Sequence, residues 1–131
     1  MSTRVIKPVG ATLLHIQLDV ATGKSFEFYK RMFAALNLRT VDEGVDYLGV
    51  TDERIMLILR RRVGLVLGGG RIGFRVESRV AVDKFLATFL ATEMITPLAW
   101  PDESSEDAGR YYAVTFETPD ATRVEIAWVP L

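Results

Sequence analysis

Apolar and polar residues alternate along "LLHIQLDV" (13–20) as they do in a half-buried strand. The following "SFEFYKRMFAAL" (25–36) switches to helical spacing, with Phe26, Tyr29, Phe33 and Leu36 on one face. Three short runs come next, "LRTVDEG", "DYLGV" and "RIMLIL", and the turn residues and charges between them predict an antiparallel meander. The order then repeats. "RIGFRV" (71–76) reads as a strand, and "RVAVDKFLATFLAT" (79–92) carries Val82, Phe85, Leu86, Phe89 and Leu90 on one helical face. Three more strands are predicted near "MITPLAW", "YYAVTF" and "RVEIAWV". The chain therefore reads as one α+β domain over 1–131, built from two βαβββ modules at about 11–62 and about 71–130 with a Gly-rich linker at 63–70. The modules are expected to form a curved mixed sheet with the helices on its outer face.

Composition removes several functions. With 49% apolar residues, 131 residues can bury an ordinary single core. Sixteen basic residues against 17 acidic ones create no field that would gather nucleic acid or an anionic membrane surface. The triplet Arg60, Arg61, Arg62 is too short to change that and is read as a strand end. Cysteine is absent, which excludes disulfides, thiolate metal sites and thiol catalysis. "MSTRVIKPVG" lacks the apolar stretch of a secretory signal, and no segment reaches the roughly 18 consecutive apolar residues of a spanning helix. A soluble, cytoplasmic protein is the expectation.

One motif misleads. "GGGRIG" (68–73) satisfies G-x-G-x-x-G, and Glu93 follows about twenty residues later, as in a dinucleotide site. That fingerprint requires a helix to open within the glycines so that its N-terminus meets the pyrophosphate. Here "RIGFRV" reads as a strand, no further βαβ units follow, and the Lys-Ser/Thr ending of a phosphate loop is missing. The glycines read as a linker.

The repeat also locates candidate chemistry, because alternate side chains of a strand share a face. Leu14, Ile16 and Leu18, like Ile72, Phe74 and Val76, should pack on the helices. His15, Gln17 and Asp19, with Arg71, Gly73 and Arg75, then look outward onto a concave face. Val124 and Ile126 turn to the helix layer, and Glu125 and Ala127 to the concave face, which Tyr111, Ala113 and Thr115 also line. Glu125 interrupts an otherwise apolar strand, and a carboxylate there needs a metal, a histidine, an arginine or water as partner. Setting "HIQLDV" over "RIGFRV" makes His15 and Arg71 equivalent, and setting "RIMLIL" over "RVEIAW" matches Met56 with Glu125. Each has a plain structural role as well: His15 as a satisfied polar residue, Arg71 and Glu125 as a cross-strand pair, Tyr111 and Trp100 as packing. The loop "DESSED" reads as a solvated connection.

The paired pattern resembles the vicinal oxygen chelate superfamily of glyoxalases, bleomycin-resistance proteins and extradiol dioxygenases. "HIQLDV" followed by "FEFYKRMFAALNL", and "YYAVTFETPDATRVEIAWVP", carry the resemblance, which spans about 11–130. It implies the fold, and it leaves the reaction open, because members include metal-dependent isomerases, lyases and dioxygenases as well as metal-free proteins that bind a drug. In the metal-using members, one position from each first strand and one from each last strand converge on a divalent ion. The corresponding residues here are His15, Arg71, Met56 and Glu125. Arginine has no lone pair to offer and a fixed positive charge, and a thioether is a poor ligand for the ions such sites use.

The resemblance therefore implies a small-molecule binding protein with no cofactor, in which Arg71 neutralises Glu125. Its ligand would be lined by Arg71, Met56, Gln17, Arg75, Tyr111, Thr115 and Trp100. The alternative is a lyase, isomerase or dioxygenase with His15 and Glu125 as ligands of one divalent metal ion, or with His15 as general base and Arg71 as an anion clamp. A homodimer is expected, since relatives pair modules across a two-fold axis and the last strand ends in the apolar "AWVPL". The family's frequent Asp-Pro-Asp-Gly turn appears as Thr118, Pro119, Asp120 and Ala121. Alanine in glycine's place predicts another turn type or strain of about 1 kcal/mol.

Overall fold

The computed structural model of the chain describes residues 7–62, 70–102 and 109–130. Among the described residues, seven strands and two helices follow one another as β1 (His15–Val20), α1 (Gly23–Ala35), β2 (Arg39–Glu43), β3 (Tyr47–Thr51), β4 (Met56–Arg61), β5 (Arg71–Arg75), α2 (Arg79–Phe85), β6 (Tyr112–Glu117) and β7 (Arg123–Trp128). A π-helical turn, Leu86–Leu90, prolongs α2. The linker expected at 63–70 lies, except for Gly70, outside the described residues, as does most of the "DESSED" loop.

Local sequence explains where the helices begin and end. The hydroxyls of Thr22 and Ser78 accept from the backbone N–H groups of Ser25 and Ala81 at 3.1 and 3.0 Å, each capping one helix. At the far end of α1, Asn37 adopts φ 59°, and the N–H groups of Asn37 and Leu38 return to the carbonyls of Ala34 and Phe33. This is the six-residue wrap that closes a helix on a left-handed residue. Met94 performs the same closure after α2, with φ 58° and with bonds from Met94 to Ala91 and from Ile95 to Leu90.

Two sheets result. The first has the order β1-β4-β3-β2, with β1 parallel to β4, and the second has the order β5-β7-β6, with β5 parallel to β7. The βαβββ pattern is complete in the first module. In the second, the strand expected near "MITPLAW" is reduced to a bridge between Ala99 and Thr115, held by backbone bonds from Leu98 and Ala99. Pro97, which has no N–H to donate, immediately precedes that pairing and prevents a longer ladder.

Both sheets and both helices share one core. Phe28 meets Phe89 at 5.6 Å between ring centres, Phe33 meets Phe74 at 6.2 Å, and Phe85 meets Phe116 at 5.8 Å, so α1 touches the π-helical turn and β5, and α2 touches β6. Arg31 of α1 also pairs with Glu93 beyond α2. Val20, Leu48, Val50, Leu57 and Leu59 of the first sheet and Val114, Phe116, Val124 and Ile126 of the second are buried in it. The other face of each sheet is thereby turned away from the common core. The first half of β1 departs from expectation: Leu14 precedes the strand and is 77% exposed, and Ile16 is 40% exposed. β1 is an edge strand, and of its residues only Leu18 and Val20 belong to the core.

Candidate functional site

On the first sheet, the face away from the core presents His15, Gln17 and Asp19 from β1 and Met56, Ile58 and Arg60 from β4. These residues stand opposite one another in that order. Gln17 donates to Asp19 at 2.7 Å, and Arg62 lies 3.4 Å from the other oxygen of Asp19. Met56 extends over Gly49 of β3, where an added Cβ would come within 3.4 Å of its sulfur. His15 is exposed, and among the described residues no acceptor within hydrogen-bonding distance orients its imidazole.

The second sheet is richer in functional groups. Across its three strands Gly73, Glu125 and Thr115 form one row, Arg71, Arg123 and Glu117 the next, and Arg75, Ala127 and Ala113 a third. Tyr111, just before β6, borders this face. Burial pushes its phenol up to about 12, the neighbouring Glu125 carboxylate adds to the rise, and the charge of Arg71 opposes it. Tyr111, Glu125 and Arg71 therefore share one local field. Trp100 follows the Ala99 bridge to Thr115 and is 62% exposed. Arg75 donates to the Val129 carbonyl at 3.1 Å, which ties the strand end down.

The expected pairing of Arg71 with Glu125 is absent: among the described residues no ion pair within 4.0 Å involves either. The register gives the reason. Glu125 stands opposite Gly73, and Arg71 stands opposite Arg123. In the first module, Met56 stands opposite His15. If Met56 and Glu125 are equivalent, the residue in the place of His15 is Gly73, two positions beyond Arg71. A slip of two residues keeps every side chain on its face, so alternation alone cannot reveal it. Sequence reasoning also missed Arg123, whose place beside Arg71 follows only from the β5–β7 register.

The same register tests the family's metal positions. At the β1–β4 crossing the donors are one imidazole and one thioether, and at the β5–β7 crossing one carboxylate stands opposite a glycine. Among the described residues, no three His, Asp or Glu side chains converge as a cation cage requires. The donor set does not fit the divalent ion of the metal-using members. His15 and Glu125 sit on separate sheets, and among the described residues no hydrogen bond or ion pair joins them. Two clefts each take in one residue of the second sheet's rows: one of about 500 Å³ includes Arg75 with Asn37, Glu77 and Lys84, and one of about 290 Å³ includes Glu117 with Lys24, Arg31 and Glu93.

Comparison of the whole chain with solved structures settles the architecture. A putative glyoxalase from Bacillus halodurans superimposes with a TM-score of 0.71 at 18% identity, covering 88% of this chain and 94% of that one. A glyoxalase/dioxygenase from Nostoc punctiforme gives 0.72 at 15% identity, covering 99% and 100%. The fold is that of the vicinal oxygen chelate superfamily. A glyoxalase/bleomycin resistance protein/dioxygenase family enzyme from Burkholderia phytofirmans PsJN gives 0.65 at 15% identity, covering 92% and 100%. No family model matches the sequence, and no curated protein does. None of the described helices is long and apolar enough to cross a membrane.

Proposed function

We propose that this chain is a glyoxalase/bleomycin-resistance-like protein that binds a small organic molecule on the open faces of its sheets, without a divalent metal and as a homodimer. The observation that carries the reading is the second sheet's open face, where Tyr111, Thr115, Glu125 and Arg71 offer aromatic surface, hydrogen-bonding groups and charge around a glycine notch. Concave or grooved surfaces that combine these features are the usual seats of small ligands. Absence of metal is supported by the donor chemistry at both crossings, which leaves His15 and Glu125 without the partners a catalytic ion needs. The dimer is supported by open-face residues that stay exposed in one chain, among them His15, Gln17, Arg71 and Arg123, which a second copy can face with the complementary module.

Equilibrium dialysis of a fluorescent aromatic probe, before and after exhaustive treatment with a chelator, tests this reading. Retention of the probe without turnover, unchanged by chelation, is expected. A stoichiometric metal in the purified protein, with probe binding lost on chelation, would overturn the metal-free assignment. Sedimentation at micromolar concentration should give the mass of two chains, and a monomer would refute the dimer.

A further inference from the structure

Arg71 and Arg123 are register partners on adjacent parallel strands, and both are exposed on the second sheet's open face. Like charges placed directly across two strands repel. Such pairs are ordinarily relieved by a carboxylate nearby. Here Glu117 is the register partner of Arg123 on its other side and Glu125 is one row away, yet among the described residues no carboxylate oxygen lies within 4.0 Å of either guanidinium. The next residue of β5 on this face is Gly73, above which an added Cβ would meet nothing within 4 Å. Glu125 stands opposite that notch, and Tyr111 lies close to Glu125.

We infer that Arg71 and Arg123 form a two-arginine clamp for the anionic head of the ligand, and that the ligand class is an aromatic carboxylate. The inference rests on the reading of this face as a small-molecule site and adds the chemistry of its occupant. Two guanidinium forks side by side present parallel N–H donors that match the two oxygens of a planar carboxylate, and the anion cancels their repulsion. The Gly73 notch leaves room for a flat ring next to the head, and Tyr111 supplies aromatic surface for it.

The test uses 2-naphthoate, with 2-naphthalenemethanol and 2-naphthylmethylamine as neutral and cationic isosteres, titrated into the purified protein by calorimetry and by tryptophan fluorescence. Naphthoate should bind tightest, and its affinity should fall as salt rises. Arg71→Gln and Arg123→Gln should each weaken naphthoate by about tenfold or more and move the alcohol by less than about twofold, as expected for loss of a charge-assisted bond. Arg54→Gln, on the exposed turn before β4, should leave all three probes unaffected. Equal affinity for the three probes, or preference for the amine, would overturn the clamp while sparing the small-molecule reading. Failure of every probe to bind at millimolar concentration would remove that reading and the clamp with it. If the two substitutions change the sedimentation coefficient and leave naphthoate affinity intact, the pair belongs to a subunit contact and the inference falls.

Discussion

Replacing Ala121 by glycine should stabilise the protein. Ala121 holds φ 63°, in the left-handed region, at the end of the turn that joins β6 to β7. Its N–H bonds the Thr118 carbonyl at 3.0 Å, and the Thr118 N–H bonds the Thr122 carbonyl at 2.9 Å, so the backbone is held in that conformation from both sides. A residue with a Cβ is disfavoured there by about 1–2 kcal/mol. Glycine removes that strain, and it costs about 0.4–1 kcal/mol through the greater freedom of the unfolded chain. Ala121 is exposed, so no packing is lost with its methyl group. The net gain is about 0.5–1 kcal/mol, which at a urea m-value of about 2 kcal/mol/M raises the unfolding midpoint by about 0.3–0.5 M. Ala121→Val should move the midpoint the other way, because a β-branched side chain is still less at ease at positive φ. Urea unfolding followed by circular dichroism decides the matter. A midpoint that is unchanged or lowered for Ala121→Gly, with m unchanged, refutes the strain argument. The turn sets the register in which Thr115 faces Glu125, so its strain bears on the site as well as on stability.

Three further expectations can be checked directly. Alkaline titration at 295 nm should show a tyrosine ionising near 12 that disappears in Tyr111→Phe and shifts downward in Glu125→Gln. Because that folded value lies above the ordinary value of about 10, the associated stability is complete below about pH 10 and is lost as pH rises towards 12, and a Tyr111→Phe curve with the same alkaline slope would contradict this. Tyr29→Phe removes a buried hydroxyl bonded to Asp120 at 3.2 Å and should cost about 1–2 kcal/mol in urea unfolding, and no measurable cost would mean that the network adds nothing. Phe89→Ala should cost about 3–5 kcal/mol in one transition seen alike by fluorescence and circular dichroism, whereas separate transitions for the two modules would deny the shared core.

The order of elements was legible because the apolar period changes plainly from two to about three and a half at Ser25 and again at Arg79, and because Thr22 and Ser78 stand where caps are required. The faces of β4, β6 and β7 were legible for the same reason: Leu57, Val114 and Val124 are buried, and their strand neighbours look outward. The register between β5 and β7 was not, since a two-residue slip preserves alternation and only the backbone ladder decides whether Arg71 or Gly73 meets Glu125. The short edge at Ala99 was hidden because "MITPLAW" has the composition of a strand, and the single Pro97 limits it. The exposure of Ile16 was hidden because burial at a sheet edge depends on where the helices end, which no local pattern encodes.

A carboxylate in the middle of β7 required a partner, and the register changes what that partner can be. Glu125 faces Gly73 on one side and Thr115 on the other, has the Tyr111 hydroxyl as a hydrogen-bonding neighbour, and is only half-buried, so on the open face water can complete its solvation without an ion pair. Anything that covers this face removes that solvation. An occupant that offered only an anion to Arg71 and Arg123 would leave Glu125 desolvated beside it and repelled by it. The chemistry of the face therefore favours an occupant that also carries a donor, such as a hydroxyl or an amide N–H, placed one strand row from its carboxylate. Neutralising the acid as Glu125→Gln should then strengthen binding of plain 2-naphthoate and weaken that of a naphthoate bearing a hydroxyl on the side facing β7. Equal effects on both would show that Glu125 takes no part in recognition.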